Sequence, residues 1–202
     1  MRPAYTKPFL IVIFIVLLDQ IIKTWVRTNM VIYGPDIHFL GDHGMLHYTL
    51  NNGMAFGMEL GGTFGKLALT TFRICAVVAI GYVLVYLIKN KYHRGLIICV
   101  SLILAGALGN IVDSVFYGIL FQGHGWFQGE VVDMFYFPLL TGNFPQWFPI
   151  WGGQDYVFFR PVFNLADSAI SVGVISILIS QKQYFKREVV ELSSPHSEMV
   201  EE

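Results

Sequence analysis

The chain has 202 residues, 54% hydrophobic and 13% charged, with a formal net charge of −1. A mean hydropathy of +0.57 is too high for a soluble domain of this length, and the near-zero charge gives nucleic acid nothing to hold. Cys75 and Cys99 lie in apolar stretches and read as small buried hydrophobes, and the six histidines show no ligand spacing, so neither a disulfide framework nor a metal site is expected.

Four stretches approach the length of about 20 apolar residues that a bilayer core requires. The first runs from Phe9 to Val26. It lacks a small-x-small cleavage site and is interrupted by Asp19 and Lys23, so it is expected to be a retained span rather than a cleaved leader. A connection over residues 27–66 follows and carries Asn51, Asn52 and Gly53. The second span covers Leu67 to Ile88 and holds Arg73 about two turns inside, where it must find a partner or snorkel outward. The third, Gly95 to Tyr117, contains Ala105, Gly106, Ala107 and Gly109 just before Asn110 and Asp113. Small residues let membrane helices approach closely, so Gly106 and Gly109 are expected to pack and thereby position Asn110 and Asp113. The connection over residues 118–162 is rich in Phe, Trp, Tyr, Gly and Pro. It carries Asp133, and Trp126, Trp147 and Trp151 suit the headgroup level. The fourth span runs from Phe163 to Ile179, extendable to Ser180, with Asn164 and Asp167 at its start. Residues 1–187 form one domain on this reading, and the polar, acidic tail from Glu188 to Glu202 is expected to be disordered.

Lysines and arginines set the orientation. Arg2 with Lys7, then Lys89, Lys91 and Arg94, then Lys182, Lys186 and Arg187 all fall on one side of four spans, with Arg27 a minor exception. That side is cytoplasmic by the positive-inside rule, and both termini lie there.

The polar residues of the spans then share one depth, the outer membrane–water boundary. Asp19 and Lys23 are spaced i, i+4 and can pair on one helix face. Asn110 with Asp113 and Asn164 with Asp167 are spaced i, i+3. An acid inside an apolar span costs roughly 2.5–3.5 kcal/mol on insertion scales, which makes a functional site the default reading. Taken alone, Asn164 serves equally well as a helix cap, and Asp19 with Lys23 reads as a structural ion pair. Taken together, the set points to a shared site.

That set holds acids and amides but no nucleophile–base pair. Ser168 has no histidine or lysine positioned to activate it, and the Asp19 neighbour keeps Lys23 charged. Two carboxylates sharing a water remain. Close like charges do not both ionise cheaply, so one carboxyl keeps its proton and hydrogen-bonds a substrate carbonyl while the other activates water. This is aspartyl-type amide hydrolysis, which needs no cofactor.

At this point the residues resemble a family, the lipoprotein signal peptidases (signal peptidase II, prolipoprotein signal peptidase). The resemblance covers all four spans and five motifs in order. Asp19-Gln20-Ile21-Ile22-Lys23 is similar to DQxxK, Asn51-Asn52-Gly53-Met54-Ala55-Phe56 to NxGxAF, and Gly106 to Asp113 to GAxGNxxD. Val131-Val132-Asp133 and Phe163-Asn164-Leu165-Ala166-Asp167 resemble VVD and FNxAD. The resemblance implies an all-α integral membrane protein of four transmembrane helices, with a small extracytoplasmic β-rich cradle formed by the first outer connection. It implies a bacterial inner-membrane hydrolase whose substrate is a diacylglyceryl-modified prolipoprotein, cut immediately before the lipidated cysteine. The implied catalytic dyad is Asp133 and Asp167. Asn51, Gly53, Asn110 and Asn164 are implied to hold the dyad or bind substrate, and Asp19 with Lys23 to brace the site. The implied partners are the lipid-modified substrate and the phospholipid bilayer, and the chain is expected to be a monomer.

Asp113 competes with Asp133 for the place opposite Asp167. Asp133 is preferred because it is expected nearer the wet boundary, whereas Asp113, deeper in a helix beside Asn110, suits a structural role. The chain departs from the family pattern in two places. Ser114 stands where an arginine usually follows the GNxxD aspartate, with Arg73 or Arg160 as candidate replacements. The segment from Pro138 to Val162 is longer than expected, and reads equally as an interfacial flap or a surface loop. Two rival functions are a proton- or ion-coupled transporter, which needs polar residues spread through the bilayer depth, and a non-catalytic assembly factor, which tolerates acid-to-amide changes.

Overall fold

The computed structural model describes residues 3–51, 62–138, 141–149, 152–157 and 161–185. Gly53, Trp151, Arg160 and the tail after Arg187, singled out above, lie outside the described residues.

Among the described residues, four helices are long and apolar enough to cross a membrane. They are α1 (Pro3–Asn29), α2 (Gly62–Lys89), α3 (Arg94–Val112) with its continuation, and α4 (Leu165–Tyr184). α1, α2 and α3 with its continuation run past both ends of the apolar stretches that signal them, because backbone hydrogen bonding continues into polar ends that hydropathy does not register, whereas α4 starts two residues later than the expected Phe163, after its cap Asn164, and runs on to Tyr184. α3 begins at His93, whose Nδ1 accepts the Gly95 N–H at 3.1 Å. At Asp113 its ladder loosens into a π-helix, Asp113–Gln122, which ends at Gly123 with φ +69°. Such wide turns collect at functional sites because the extra residue re-aims the side chains around it.

α3 is the central helix. Half of its most apolar window is buried, against 17–22% for the other three. Val12 of α1, Leu84, Leu87 and Ile88 of α2 and Leu96, Val100 and Leu104 of α3 form the main core. Phe14, Phe72, Val78, Leu178 and Ile179 are exposed on the outer faces. Large apolar side chains standing outward on all sides are what a lipid solvent selects.

The connections between helices build a four-stranded antiparallel sheet in the order β1 (Ile37–His38), β2 (Met45–Asn51), β3 (Val131–Tyr136) and β6 (Val162–Phe163). The sequence reading assigned the β-rich element to residues 27–66. The sheet in fact draws two of its strands from the second connection, because β2 supplies an edge that β3 fills. Asn51 opposes Val131 and Thr49 opposes Asp133 in this register. Asp133, read as a loop residue, is therefore a strand residue. Val26, Tyr48, Tyr117, Val132 and Met134 form a second core joining the sheet to the ends of α1 and α3. The long segment after Pro138 is a hairpin in its described part, with β4 (Thr141–Asn143) antiparallel to β5 (Asp155–Val157).

Gly106 and Gly109 set the approach of α3 to α4. A Cβ at Gly106 would collide with the Ala166 carbonyl oxygen and lie 2.7 Å from Ile170 Cγ1, and one at Gly109 would lie 2.8 Å from Asp19 Oδ2. The obstacle at Gly106 is backbone, so the helices must part to admit a methyl group. Gly106→Ala is expected to destabilise the protein by about 1–3 kcal/mol, read as a lower thermal midpoint in detergent.

Candidate active site

The polar residues of three helices and two strands meet at one end of the bundle. At the centre is Lys23, wholly buried in α1. Its Nζ is 2.9 Å from Asp19 Oδ2 and 2.8 Å from Asp113 Oδ2, and it donates to Asn110 Oδ1 at 3.0 Å. The ion pair expected from the i, i+4 spacing is present, and Asp113 joins it from α3.

Each of these acids has a second task. Asp19 Oδ1 accepts the Ala166 N–H at 3.0 Å, so a carboxylate of α1 satisfies one of the unpaired donors that open α4. Asp113 Oδ2 accepts the Val132 N–H at 3.2 Å and its Oδ1 accepts Gln20 Nε2 at 2.9 Å. Gln20 in turn accepts the Tyr117 hydroxyl at 3.0 Å. The sequence reading gave Gln20 and Tyr117 no part in the site. Gln20 was detectable as an amide inside an apolar span, whereas the role of Tyr117 depends on the π-helical turn that aims it.

Asn164 links the remaining two carboxyls. Its Nδ2 donates to Asp133 Oδ1 at 2.7 Å, and its Oδ1 accepts the Asp167 N–H at 2.9 Å. Asp167 Oδ2 accepts the Asn164 N–H at 3.4 Å, completing a reciprocal cap at the start of α4. The cap and the site are thus the same residue. Asn51 Nδ2 donates to Asp133 Oδ2 at 2.9 Å, and Asn110 Nδ2 donates to Asp167 Oδ1 at 2.8 Å. Every amide anticipated from the sequence within the described residues contacts one of these two acids.

Asp133 and its rival Asp113 are both buried, 2% and 0% exposed, and Asp167 is more exposed than either. The reason is the sheet, which covers Asp133 while the first turn of α4 stays open. Burial, and next the charge of Asp167, push the Asp133 carboxyl up to about 7, against the opposing pull of the amides of Asn51 and Asn164 and of Lys23. Asp113 differs from Asp133 in its partners: it is ion-paired with Lys23 and also meets Gln20 and the Val132 N–H, whereas the oxygens of Asp133 meet the amides of Asn51 and Asn164.

Arg73 finds its partner in Ser114, donating from Nη1 to Oγ at 2.6 Å. Among the described residues no His, Cys, Asp and Glu cluster is arranged to hold a metal ion. Ser101, farther along α3, bonds back to the Ile97 carbonyl at 2.7 Å, so the polar side-chain network stays at one end of the bundle.

A membrane protein of four spanning-length helices, with two acids joined by an asparagine at the helix ends, is the class that fold and site define. The sequence profile of the signal peptidase (SPase) II family matches residues 11–182. A lipoprotein signal peptidase of Porphyromonas gingivalis is 45% identical over 185 residues, covering 84% of this chain and 80% of that protein. One from Amoebophilus asiaticus is 40% identical over 187 residues, covering 89% of this chain and 79% of that protein. A bacterial membrane enzyme solved by the in meso method at 2.3 Å resolution superposes with a TM-score of 0.62 at 30% identity, covering 91% of this chain and 93% of that one. The chain belongs to the signal peptidase II family.

Removing the central cation tests the scaffold. Lys23→Met leaves Asp19 and Asp113 buried without their counter-charge and is expected to cost about 3–5 kcal/mol, seen as a collapse of folded yield and thermal midpoint.

Proposed function

We propose that this chain is an aspartic endopeptidase of the bacterial inner membrane that removes the signal peptide from diacylglyceryl-modified prolipoproteins, cleaving immediately before the lipidated cysteine. The observation that carries the reading is Asn164, which bonds Asp133 with its side chain and Asp167 with its backbone. Family membership supports the substrate class, and the pair of acids joined by Asn164 supports the chemistry.

In the proposed reaction Asp167 is the base. The N-terminus of a helix favours negative charge, and the Asn110 amide holds one oxygen while the site around Asp167 stays open. Asp167 takes a proton from water as that water attacks the scissile carbonyl. Asp133, kept neutral by burial, donates a hydrogen bond to the carbonyl oxygen and stabilises the tetrahedral oxyanion. The proton gained by Asp167 then passes to the leaving nitrogen as the C–N bond breaks. Asn51, Asn110 and Asn164 hold the pair in register, Gly53 is assigned to substrate binding by its place in the family motif, and Asp19, Lys23 and Asp113 brace the frame. The positive-inside rule assigns both termini to the cytoplasm and the acid pair to the periplasmic boundary, where the scissile bond of a lipid-anchored cysteine must lie. The small sheet is the proposed cradle for that peptide, with a single copy of the chain sufficient.

Cleavage of a lipidated precursor by the purified chain tests the assignment. Asp133→Asn and Asp167→Asn are each expected to abolish turnover, by about 10³-fold or more, in protein that still folds. Asp113→Asn should lower yield while the surviving protein turns over normally. A wild-type rate in either dyad variant would remove that residue from the reaction.

The pH profile follows from the neutral role of Asp133. Its carboxyl is raised to about 7, so the proton is present below that pH and lost above it. Turnover should therefore decline as pH rises through about 7, and a flat kcat/KM between about pH 6 and 9 would contradict the role.

A further inference from the structure

Three residues on one face of α2 reach toward the connection between α3 and β3. Lys66, Thr70 and Arg73 are spaced i, i+4, i+7, a single stripe on a helix. Lys66 Nζ pairs with Glu130 Oε1 at 2.8 Å, and Thr70 Oγ1 donates to the Phe127 carbonyl at 2.9 Å. Those two contacts already tie α2 to the connection. Arg73 lies at the deep end of the stripe and is directed elsewhere, to Ser114 Oγ at 2.6 Å.

Ser114 is buried, one residue after Asp113, and its hydroxyl donates to the Asn110 carbonyl at 2.9 Å. The guanidinium is thus tethered to the turn of helix that carries Asn110, whose amide binds Asp167. Its charge acts on Asp167 most strongly, then on Asp113 and Asp133. Asp113 has Lys23 beside it at 2.8 Å, and Asp167, the acid that the charge of Arg73 reaches most strongly, is one of the proposed reacting pair.

Resting on the proposed function of that pair, we infer that Arg73 is a positioning residue of the reaction centre: tethered by Ser114, its guanidinium offsets the negative charge that the Asp133–Asp167 pair carries while it activates water. The cation comes from a helix that contributes no carboxylate to the site. Asp133 is faced by Lys23 from α1, Asp167 from α4, Asn51 from β2 and the cap residue Asn164, and Arg73 adds a second positive charge to the one supplied by Lys23.

The sign of the effect follows. Without the guanidinium the anionic pair is less favourable, so a higher pH is needed to remove its first proton and its second. The whole pH–rate profile moves up. A residue that merely ties helices together lowers the amount of active protein and leaves the profile where it was.

The experiment measures kcat, KM and the pH–rate profile of the full chain on a lipidated precursor. Arg73→Gln is expected to lower kcat about tenfold or more and to shift the profile up by about one pH unit. Arg73→Lys, which keeps the charge, should return the profile to the wild-type position. Ser114→Ala, which loosens the tether, should shift it in the same direction by less. An unmoved profile in folded Arg73→Gln overturns the inference. If Arg73→Gln does not accumulate in the membrane, an unmoved profile in Ser114→Ala overturns it instead. Loss of turnover in both dyad variants with no shift at Arg73 refutes the arginine alone, whereas turnover surviving in a dyad variant refutes the reading on which it rests.

Discussion

An ammonium group taken wholly out of solvent keeps its charge only where anions and hydrogen-bond acceptors replace the lost hydration, and Lys23 meets that demand with three partners on two helices. Each partner extends the constraint to another element. Asp19 passes it to the first turn of α4 through the Ala166 N–H, and Asp113 passes it to β3 through the Val132 N–H. One buried cation thereby sets the relative position of α1, α3, α4 and the sheet. The same commitment divides the acids by role. Asp19 and Asp113 are paired with Lys23, whereas Asp133 and Asp167, the proposed catalytic acids, meet amides.

Those two acids sit in different surroundings on either side of one asparagine. Asp133 is enclosed by a strand and its neighbours, which favours the neutral form, while Asp167 stands in the first turn of a helix, where negative charge is welcome. Unequal environments for two close carboxyls are the condition for one to act as acid and the other as base. Asn164 caps the helix and bonds both acids, so the helix cap and the geometry of the proposed pair cannot be altered separately.

Close approach is what lets so small a bundle hold such a network. Glycine at 106 and 109 brings α3 against α4 at Ala166, the residue whose N–H meets Asp19. The π-helical turn at Asp113 then swings Tyr117 toward Gln20 and Ser114 toward Arg73. Backbone irregularity, small residues and buried charge thus gather at the same end of the helices, and the ordinary apolar packing of Leu84, Leu96 and Val100 lies at the other.

The sequence by itself determined the spans, the Asp19–Lys23 pair and the membership of the polar set. Hydropathy and helical spacing are local properties, and residues that are costly in lipid stand out against an apolar background. It also carried the family's motifs, from which the acids and amides follow by position. What the tertiary structure decided was which groups meet across elements. The pairing of β2 with β3 placed Asp133 in a strand and buried it. The enclosure of Lys23 brought Asp113 into its ion pairing. The contact of Arg73 with Ser114 joined residues 41 apart in the chain. Such meetings depend on helix approach and strand register, which are long-range outcomes of packing, and no local pattern of residues encodes them.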